Sequence, residues 1–169
     1  MIPNLIAQLF GLGAMISLFS IYQQSERKKL LISKLCADVC WVVHYFLLGG
    51  YGGMVPNFVG IFRELVFIQR DKKKWASLPI VPVVFIIINW CIGFSTFASP
   101  INIMPIAAST FVTISLWLRI PKLTKLISVP VSLTFLIYDL LIGSWIGVIN
   151  ESIAISSIII SFVRERIKK

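Results

Sequence analysis

Apolar stretches of about twenty residues alternate with short turns along the whole chain, and this alternation predicts the elements before any single residue is weighed. The stretches run over 2–22, 31–49, 53–70, 77–97, 102–118, 123–142 and 145–163. At 1.5 Å rise per residue, each is close to the length an α-helix needs to cross a hydrocarbon core. The turns between them are of two kinds. Gly49-Gly50-Tyr51-Gly52-Gly53, Ser95 to Asn102 (with Pro100 as a breaker) and Gly143-Ser144 carry no Lys or Arg. The others are strongly basic. The pattern predicts an all-α integral membrane protein with seven transmembrane helices.

Charge gives the orientation. Every Lys and Arg except Arg63 lies in or beside one of four patches. These are Arg27-Lys28-Lys29 with Lys34, Arg70 to Lys74, Arg119 with Lys122 and Lys125, and Arg164 to Lys169. Cytoplasmic loops hold the positive charge of multi-pass proteins, so the four patches face the cytoplasm. Seven crossings then put the N-terminus outside and the basic C-terminal tail inside. Composition agrees: the chain is 57% hydrophobic and 14% charged, against about 25% charged in a soluble domain. The net charge of +9 does not point to nucleic acid, because the basic residues sit at segment ends and line no groove. They are suited to anionic headgroups, so membrane lipids are expected partners.

The chain also matches itself at an offset of 94 residues. Gly49 falls on Gly143, Tyr51 on Trp145, Gly53 on Gly147, Arg70 on Arg164 and Asp71 on Glu165. Lys28 meets Lys122, Trp41 meets Phe135, His44 meets Tyr138, and Asn57 meets Glu151. Helices 2 and 3 thus correspond to helices 6 and 7. Helix 1 would pair with helix 5, though their residues match poorly. Helix 4 has no counterpart. The expected plan is three, one, three: a first repeat over 1–74, a linker helix over 75–99, and a second repeat over 100–169 that ends in a short basic tail. The extra crossing makes the two bundles parallel.

Polar side chains inside apolar runs mark the chemistry, since Asp, Arg or Lys at a helix centre costs about 2.5–3.5 kcal/mol on insertion scales. Asp38, Trp41 and His44 are spaced three apart and share one face of helix 2. They are expected to form a cavity wall, with ring stacking from Trp41 and hydrogen bonding from His44 or Asp38. Asn57 and Glu151 hold matching places and are expected to face each other across a central gap, where Glu151 has the chemistry to carry a proton. The bland alternative for all of these is packing and interhelical hydrogen bonding. Arg63 and Glu64 lie toward the cytoplasmic end of helix 3. Arg63 is expected to snorkel, and an inner gate with Glu64 or Asp38 is the sharper alternative. Asp139 is read as interfacial. Tyr22, Tyr51, Trp75, Trp117 and Trp145 are placed in aromatic belts.

Much other chemistry is missing from the sequence. One His, no HExxH, no P-loop, no nucleophile elbow and no dinucleotide fingerprint leave no catalytic constellation, so no enzyme is expected. Cys36, Cys40 and Cys91 are read as small buried hydrophobes rather than disulfide or metal ligands. No cofactor is expected.

His44-Tyr45-Phe46-Leu47-Leu48-Gly49, followed by Arg63 in the next helix, resembles the first half of the YgjV-like bacterial inner-membrane proteins. Tyr138-Asp139-Leu140-Leu141-Ile142-Gly143-Ser144-Trp145-Ile146-Gly147, ending at Glu151, resembles their second half, with Tyr138 in place of a second His. The three-one-three plan is more remotely similar to the SWEET sugar facilitators and PnuC vitamin transporters. That likeness implies a pocket between helices 2, 3, 6 and 7, with Trp41 and Phe135 as aromatic walls and Asn57, Asn150 or Glu151 as polar contacts. The Pro-Gln dipeptide of the PQ-loop branch is absent. The resulting expectation is a carrier of a small polar solute. Its substrate-binding candidates are Trp41, His44, Asn57, Phe135, Tyr138, Asn150 and Glu151. Asp38, Arg63 and Glu64 are the candidates for gating or charge pairing. A homo-oligomer is a candidate assembly. The alternative is a non-transporting membrane protein that binds a partner or lipid through its basic face.

Overall fold

The computed structural model describes residues 2–21 and 27–167. Within them lie seven α-helices: α1 (Ile2–Ile21), α2 (Arg27–Leu47), α3 (Tyr51–Gln69), α4 (Ile80–Ser95), α5 (Ile103–Leu118), α6 (Pro121–Ile142) and α7 (Trp145–Ile167). Tyr22 and the last two lysines fall outside the described residues, as do the side chains of Arg27, Lys122, Lys125 and Arg164 to Ile167.

Turn chemistry sets the helix ends. Gly49 and Gly143 both adopt left-handed backbone, at φ 71° and 72°, where a side chain would be strained. Each lets the following amide fold back onto the last helical turn. Gly50 N donates to the Tyr45 carbonyl at 2.8 Å, and Ser144 N donates to the Asp139 carbonyl at 2.9 Å. This is the 6→1 closure of a helix end. At the other side, a 3-10 turn over Lys74–Ser77 and Pro79 delay the start of α4 until Ile80. Helix α4 is therefore shorter than the 77–97 expected from hydropathy. Helix α2, by contrast, begins at Arg27, inside the basic patch rather than after it.

Packing follows chain order, with α1 on α2, α2 on α3, α5 on α6 and α6 on α7. Helix α4 bridges α3 and α5, α3 also touches α5, and α1 touches α7. The hold on α4 is polar as well as apolar. Asn89 donates to the Ile106 carbonyl at 3.0 Å, and Trp90 Nε1 donates to Thr110 Oγ1 at 3.0 Å. Pro82 and Pro105 occupy first turns, where a missing N–H leaves no broken bond. Pro56 and Pro130 lie deeper in α3 and α6.

Burial runs opposite to that of a water-soluble domain. Asp38, His44, Arg63, Glu64, Asn89 and Asp139 are buried, while Leu9, Phe46, Phe62, Ile87, Phe111, Leu141 and Ile160 are exposed. An exposed apolar mantle of this kind marks an interaction with lipid or partner. By length and hydropathy Pro100–Leu118 qualifies as a span among the described residues, while Ile80–Ser95, Leu126–Ile142 and Trp145–Ile160 are apolar over shorter runs. Cys36 and Cys91 are exposed in the mantle rather than buried as expected; all three cysteines are free. They sit on outward helix faces, where an apolar surface accepts them.

Close helix approach depends on small residues. A Cβ at Gly52 would meet Asn102 Cα at 2.5 Å, which is backbone and cannot swing aside, whereas a Cβ at Gly13 would meet only Cys40 Sγ at 3.7 Å. Gly52→Val is expected to lower the melting temperature of the detergent-solubilised chain, at a cost of about 1–3 kcal/mol. Gly13→Ala is expected to leave it unchanged.

Candidate functional site: a polar interior on two levels

The first level is built where the C-terminal turns of α2 and α6 meet the N-terminal turns of α3 and α7. Tyr45 on α2 donates its hydroxyl to Asp139 Oδ1 on α6 at 2.9 Å. Next to it, His44 Nδ1 lies 2.6 Å from the Ala7 carbonyl, and Nε2 lies 2.7 Å from Ser144 Oγ. A carbonyl only accepts, so Nδ1 carries the hydrogen, and a neutral ring then takes the serine proton on Nε2. Tyr138 Oη accepts from the Gly53 amide at 2.9 Å, a donor in the first turn of α3 that it shares with the Gly50 carbonyl. Gln8 does the same for α7: its Oε1 accepts from Ile146 N at 3.1 Å, and its Nε2 reaches the Gly143 carbonyl at 3.4 Å. Trp41 floors the level, edge-on to His44 and stacked on Tyr45 at centroid separations of 5.1 and 5.5 Å. His44, Tyr138 and Ser144 are sealed from solvent, and Asp139 nearly so.

The second level lies deeper. Along α2, Asp38 is about 9 Å from His44, and along α3, Arg63 is about 15 Å from Gly53, at 1.5 Å per residue. Lys34 Nζ contacts Asp38 Oδ1 at 2.8 Å and Glu64 Oε1 at 3.8 Å. Arg63 Nη2 meets Glu64 Oε1 at 3.0 Å, and its Nη1 donates to Thr113 Oγ1 on α5 at 2.8 Å. Arg63 therefore does not snorkel, contrary to expectation. It is buried, because Glu64 beside it and Thr113 opposite supply the partners that water would. Lys34 belongs to this level too, rather than to the surface patch in which its neighbours in sequence had placed it.

Between the levels sit the half-buried Asn57, Asn150 and Glu151 and the buried Ser132. Asn150 donates to Glu151 Oε1 at 2.9 Å, and Ser132 on α6 hydrogen-bonds the same carboxylate. Asn57 turns its amide back to the Gly53 carbonyl at 2.7 Å, which leaves its oxygen free to point elsewhere. Phe135 is half-buried on the α6 face shared by Ser132 and Tyr138.

The expected residues are thus divided among three places. Trp41, His44 and Tyr138 are packed in the first level, where His44 and Tyr138 are also hydrogen-bonded. Asp38, Arg63 and Glu64 are brought together in the second. Asn57, Asn150 and Glu151 lie between. Asp139, read from sequence as interfacial, is instead buried at the centre of the first level, because Tyr45 gives it a donor there. Tyr45, Ser144, Gln8 and Lys34 escaped the reading of the sequence. Gln8 offered a signal, an amide within an apolar run; Tyr45 and Ser144 offered none, since Tyr and Ser are ordinary at helix ends.

At the basic end, the Arg70 guanidinium carbon lies 3.6 Å from the centre of the Trp117 ring. Its Nη1 donates to the Trp117 carbonyl at 2.6 Å, and Arg119 pairs with Asp71 at 2.9 Å. These contacts tie the end of α3 to the end of α5. Trp117 is therefore a seat for Arg70, while Tyr51, Trp75 and Trp145 are exposed as belt residues would be.

A family model described as a bacterial inner membrane protein, Imp-YgjV, matches residues 5–169, and the chain belongs to that family. No curated protein and no solved structure matches it.

Removing one member of a buried pair leaves the other uncompensated. Arg63→Gln is expected to destabilise the chain by about 3–5 kcal/mol, and Arg63→Gln with Glu64→Gln together by clearly less, as measured by thermal unfolding. Tyr45→Phe is expected to cost about 1–3 kcal/mol by stripping the hydrogen bond from Asp139. The same change is expected to cost much less when Asp139→Leu is already present, a coupling that a double-mutant cycle reads directly.

Proposed function

We propose, with residence in the bacterial inner membrane as the premise, that this chain carries a small polar solute across that membrane by alternating access. In this reading the seven helices are spans. Residues 1–74 and 100–169 form two parallel three-helix bundles, and 75–99 is the linker between them. The N-terminus is external. The C-terminus is cytoplasmic, on the side of Arg70, Lys72, Lys73, Lys74 and Arg119.

Support for the two-bundle plan comes from the register of contacts. The hydrogen-bonded pair Tyr45 and Asp139 are 94 residues apart, the offset of the sequence match. The left-handed glycines at 49 and 143 keep the same offset. Gln8 of α1 meets Ile146 of α7, while Asn102, 94 residues after Gln8, lies against Gly52, 94 residues before Ile146. A two-fold exchange of α1 with α5 and α3 with α7 also converts the α3–α5 contact into the α7–α1 contact. Helix 1 and helix 5 match poorly in sequence, yet these contacts favour their pairing.

The observation that carries the transport reading is the layering of the interior. A sealed polar level toward the external end and an ion-paired level toward the cytoplasmic end enclose Asn57, Asn150 and Glu151, which keep accessible surface. Substrates of repeat-built transporters are held near the midplane between such levels. In this reading His44, Tyr45, Tyr138, Asp139 and Ser144 close the external side, and Asp38, Arg63 and Glu64 gate the inner side. Trp41 and Phe135 back the substrate position. The competing role, binding a partner or lipid through the basic face, draws on the exposed Lys72 to Trp75 segment; it requires no polar interior.

Single cysteines introduced into a background lacking Cys36, Cys40 and Cys91 distinguish the two. Cysteines at Asn57 and Ser132 are expected to react with a membrane-impermeant thiol reagent from the cytoplasmic side in proteoliposomes, and one at Ser144 is expected to be protected. Protection of all three from both sides, together with no uptake from a panel of sugars, vitamins and amino acids, would remove the carrier reading.

A further inference from the structure

The charge of the interior is opposite to that of the molecule. The chain carries +9 overall, yet among the described acidic side chains only Asp71 is exposed. Asp38, Glu64, Asp139 and Glu151 all lie inside, on α2, α3, α6 and α7. The cations at the same depth are Lys34 and Arg63, and both are committed. Lys34 sits on Asp38, and Arg63 sits on Glu64. Lys34 also acts on Glu151 through space, without a contact short enough to be an ion pair. Among the described residues, nothing cationic meets Asp139. Tyr45 donates to its Oδ1, and Ser144 Oγ lies beside its Oδ2 but spends its one proton on His44 Nε2; Glu151 is close enough to repel its charge, and the His44 ring is satisfied in its neutral form. Arg70 lies about 10 Å beyond Arg63 along α3, clamped on Trp117.

Hydrogen bonding points the same way from a separate observation. Among the described residues, the buried side-chain atoms without a partner are Asp38 Oδ2, Glu64 Oε2, Asn89 Oδ1, Ser115 Oγ and Asp139 Oδ2. All but the serine hydroxyl are acceptors only, since a carboxylate or amide oxygen has lone pairs and no proton to give. Asp139 Oδ2 is aimed at Gly147, where an added Cβ would strike it. Gly147 lies one helical turn before Glu151 on the same face of α7. The same Cβ would strike Ser144 Oγ, so only glycine lets Asp139 and Ser144 come up against this turn of α7. Among the described residues the interior thus holds four acidic side chains against two basic ones, with an unpartnered acceptor of Asp139 beside Gly147.

We propose that the transported solute is a small cation rich in N–H donors, of the amine or guanidine class, engaged by Glu151 with Asp139 as its second carboxylate. This rests on the carrier reading above and specifies its substrate class. Glu151, half-buried and already oriented by Asn150 and Ser132, meets the cation first. Asp139 completes the site when the first level opens, because the Tyr45 bond occupies only one of its two oxygens. The neutral groups Asn57 and Ser132 accept the remaining N–H bonds. Lys34 and Arg63, held by their own acids, leave the second level neutral and so present no barrier of like charge.

The test uses the purified full-length chain in lipid nanodiscs and proteoliposomes. The probes are ethanolammonium, putrescine and agmatine as cations, ethylene glycol and glycerol as neutral counterparts, glycolate as an anion, and sodium or potassium alone. At least one amine or guanidine probe is expected to raise the melting temperature by several degrees and to be taken up. Glu151→Gln is expected to weaken its apparent affinity by about tenfold or more. Asp139→Asn keeps an acceptor for Tyr45 and is expected to weaken the same probe while the variant remains folded. If Asp139→Asn fails to fold, the wild-type comparison across charge classes and Glu151→Gln decide alone. Stabilisation and uptake of a neutral or anionic probe with no response to any amine overturns the cation assignment and leaves transport standing. A response to sodium or potassium without any amine effect overturns the solute class as well. An amine response unchanged in Glu151→Gln overturns the site, and failure of every probe to bind or move, with the middle level closed to thiol reagents, removes the carrier reading with it.

Discussion

The hydrogen bond from Tyr45 to Asp139 is the contact on which the arrangement of this molecule turns. It joins the C-terminal turn of α2 to that of α6 and lets a carboxyl group stand in the interior of a bundle whose outside is apolar. In such a setting water cannot rescue an unpaired polar group, so each one inside must find its partner within the protein or leave a costly vacancy in bonding. That demand explains why His44 is bonded on both nitrogens, why Tyr138 reaches across to the Gly53 amide, and why Gln8 of α1 caps α7. Each of these bonds crosses between elements remote in sequence. Together they fix the helix ends in register, adding directional bonds to the close packing of small residues between helices.

The ion-paired level applies the same rule with charge in place of neutral dipoles. Lys34, Asp38, Arg63 and Glu64 bring two cations and two acids into one neighbourhood, and Thr113 fastens the Arg63 end to α5. Buried ion pairs add little net stability against an apolar core. Their retention at the α2–α3–α5 junction is better understood as a device that holds those helices in one register and comes apart as a unit. A level that is neutral as a set adds no net charge to the interior, which is the property that the proposed inner gate requires.

Much of the fold was legible because its signals are local or periodic. The seven helices fall within a few residues of the apolar stretches, and the Gly49 and Gly143 turns lie where they were expected. Basic residues marked one end of the bundle, and Arg70 and Arg119 are indeed together there. Errors arose where a residue's fate depends on its partner. Lys34 looked like part of a surface patch and is an interior cation. Arg63 looked able to snorkel and is held by Glu64 and Thr113. Asp139 looked interfacial and is central. In each case the side chain's own chemistry permitted both fates, and a group from another helix chose between them.

The sequence by itself determined the helices, their lengths, the uncharged and basic ends, and the stock of ionisable groups placed inside apolar runs, since hydropathy and turn chemistry act over one segment at a time. The tertiary structure alone decided which of those groups meet. Tyr45 and Asp139 lie 94 residues apart, and His44 and Ser144 lie 100 apart. No local preference encodes pairs so distant; they exist only because helix packing brings four chain turns to one place, where burial makes each polar group depend on the others.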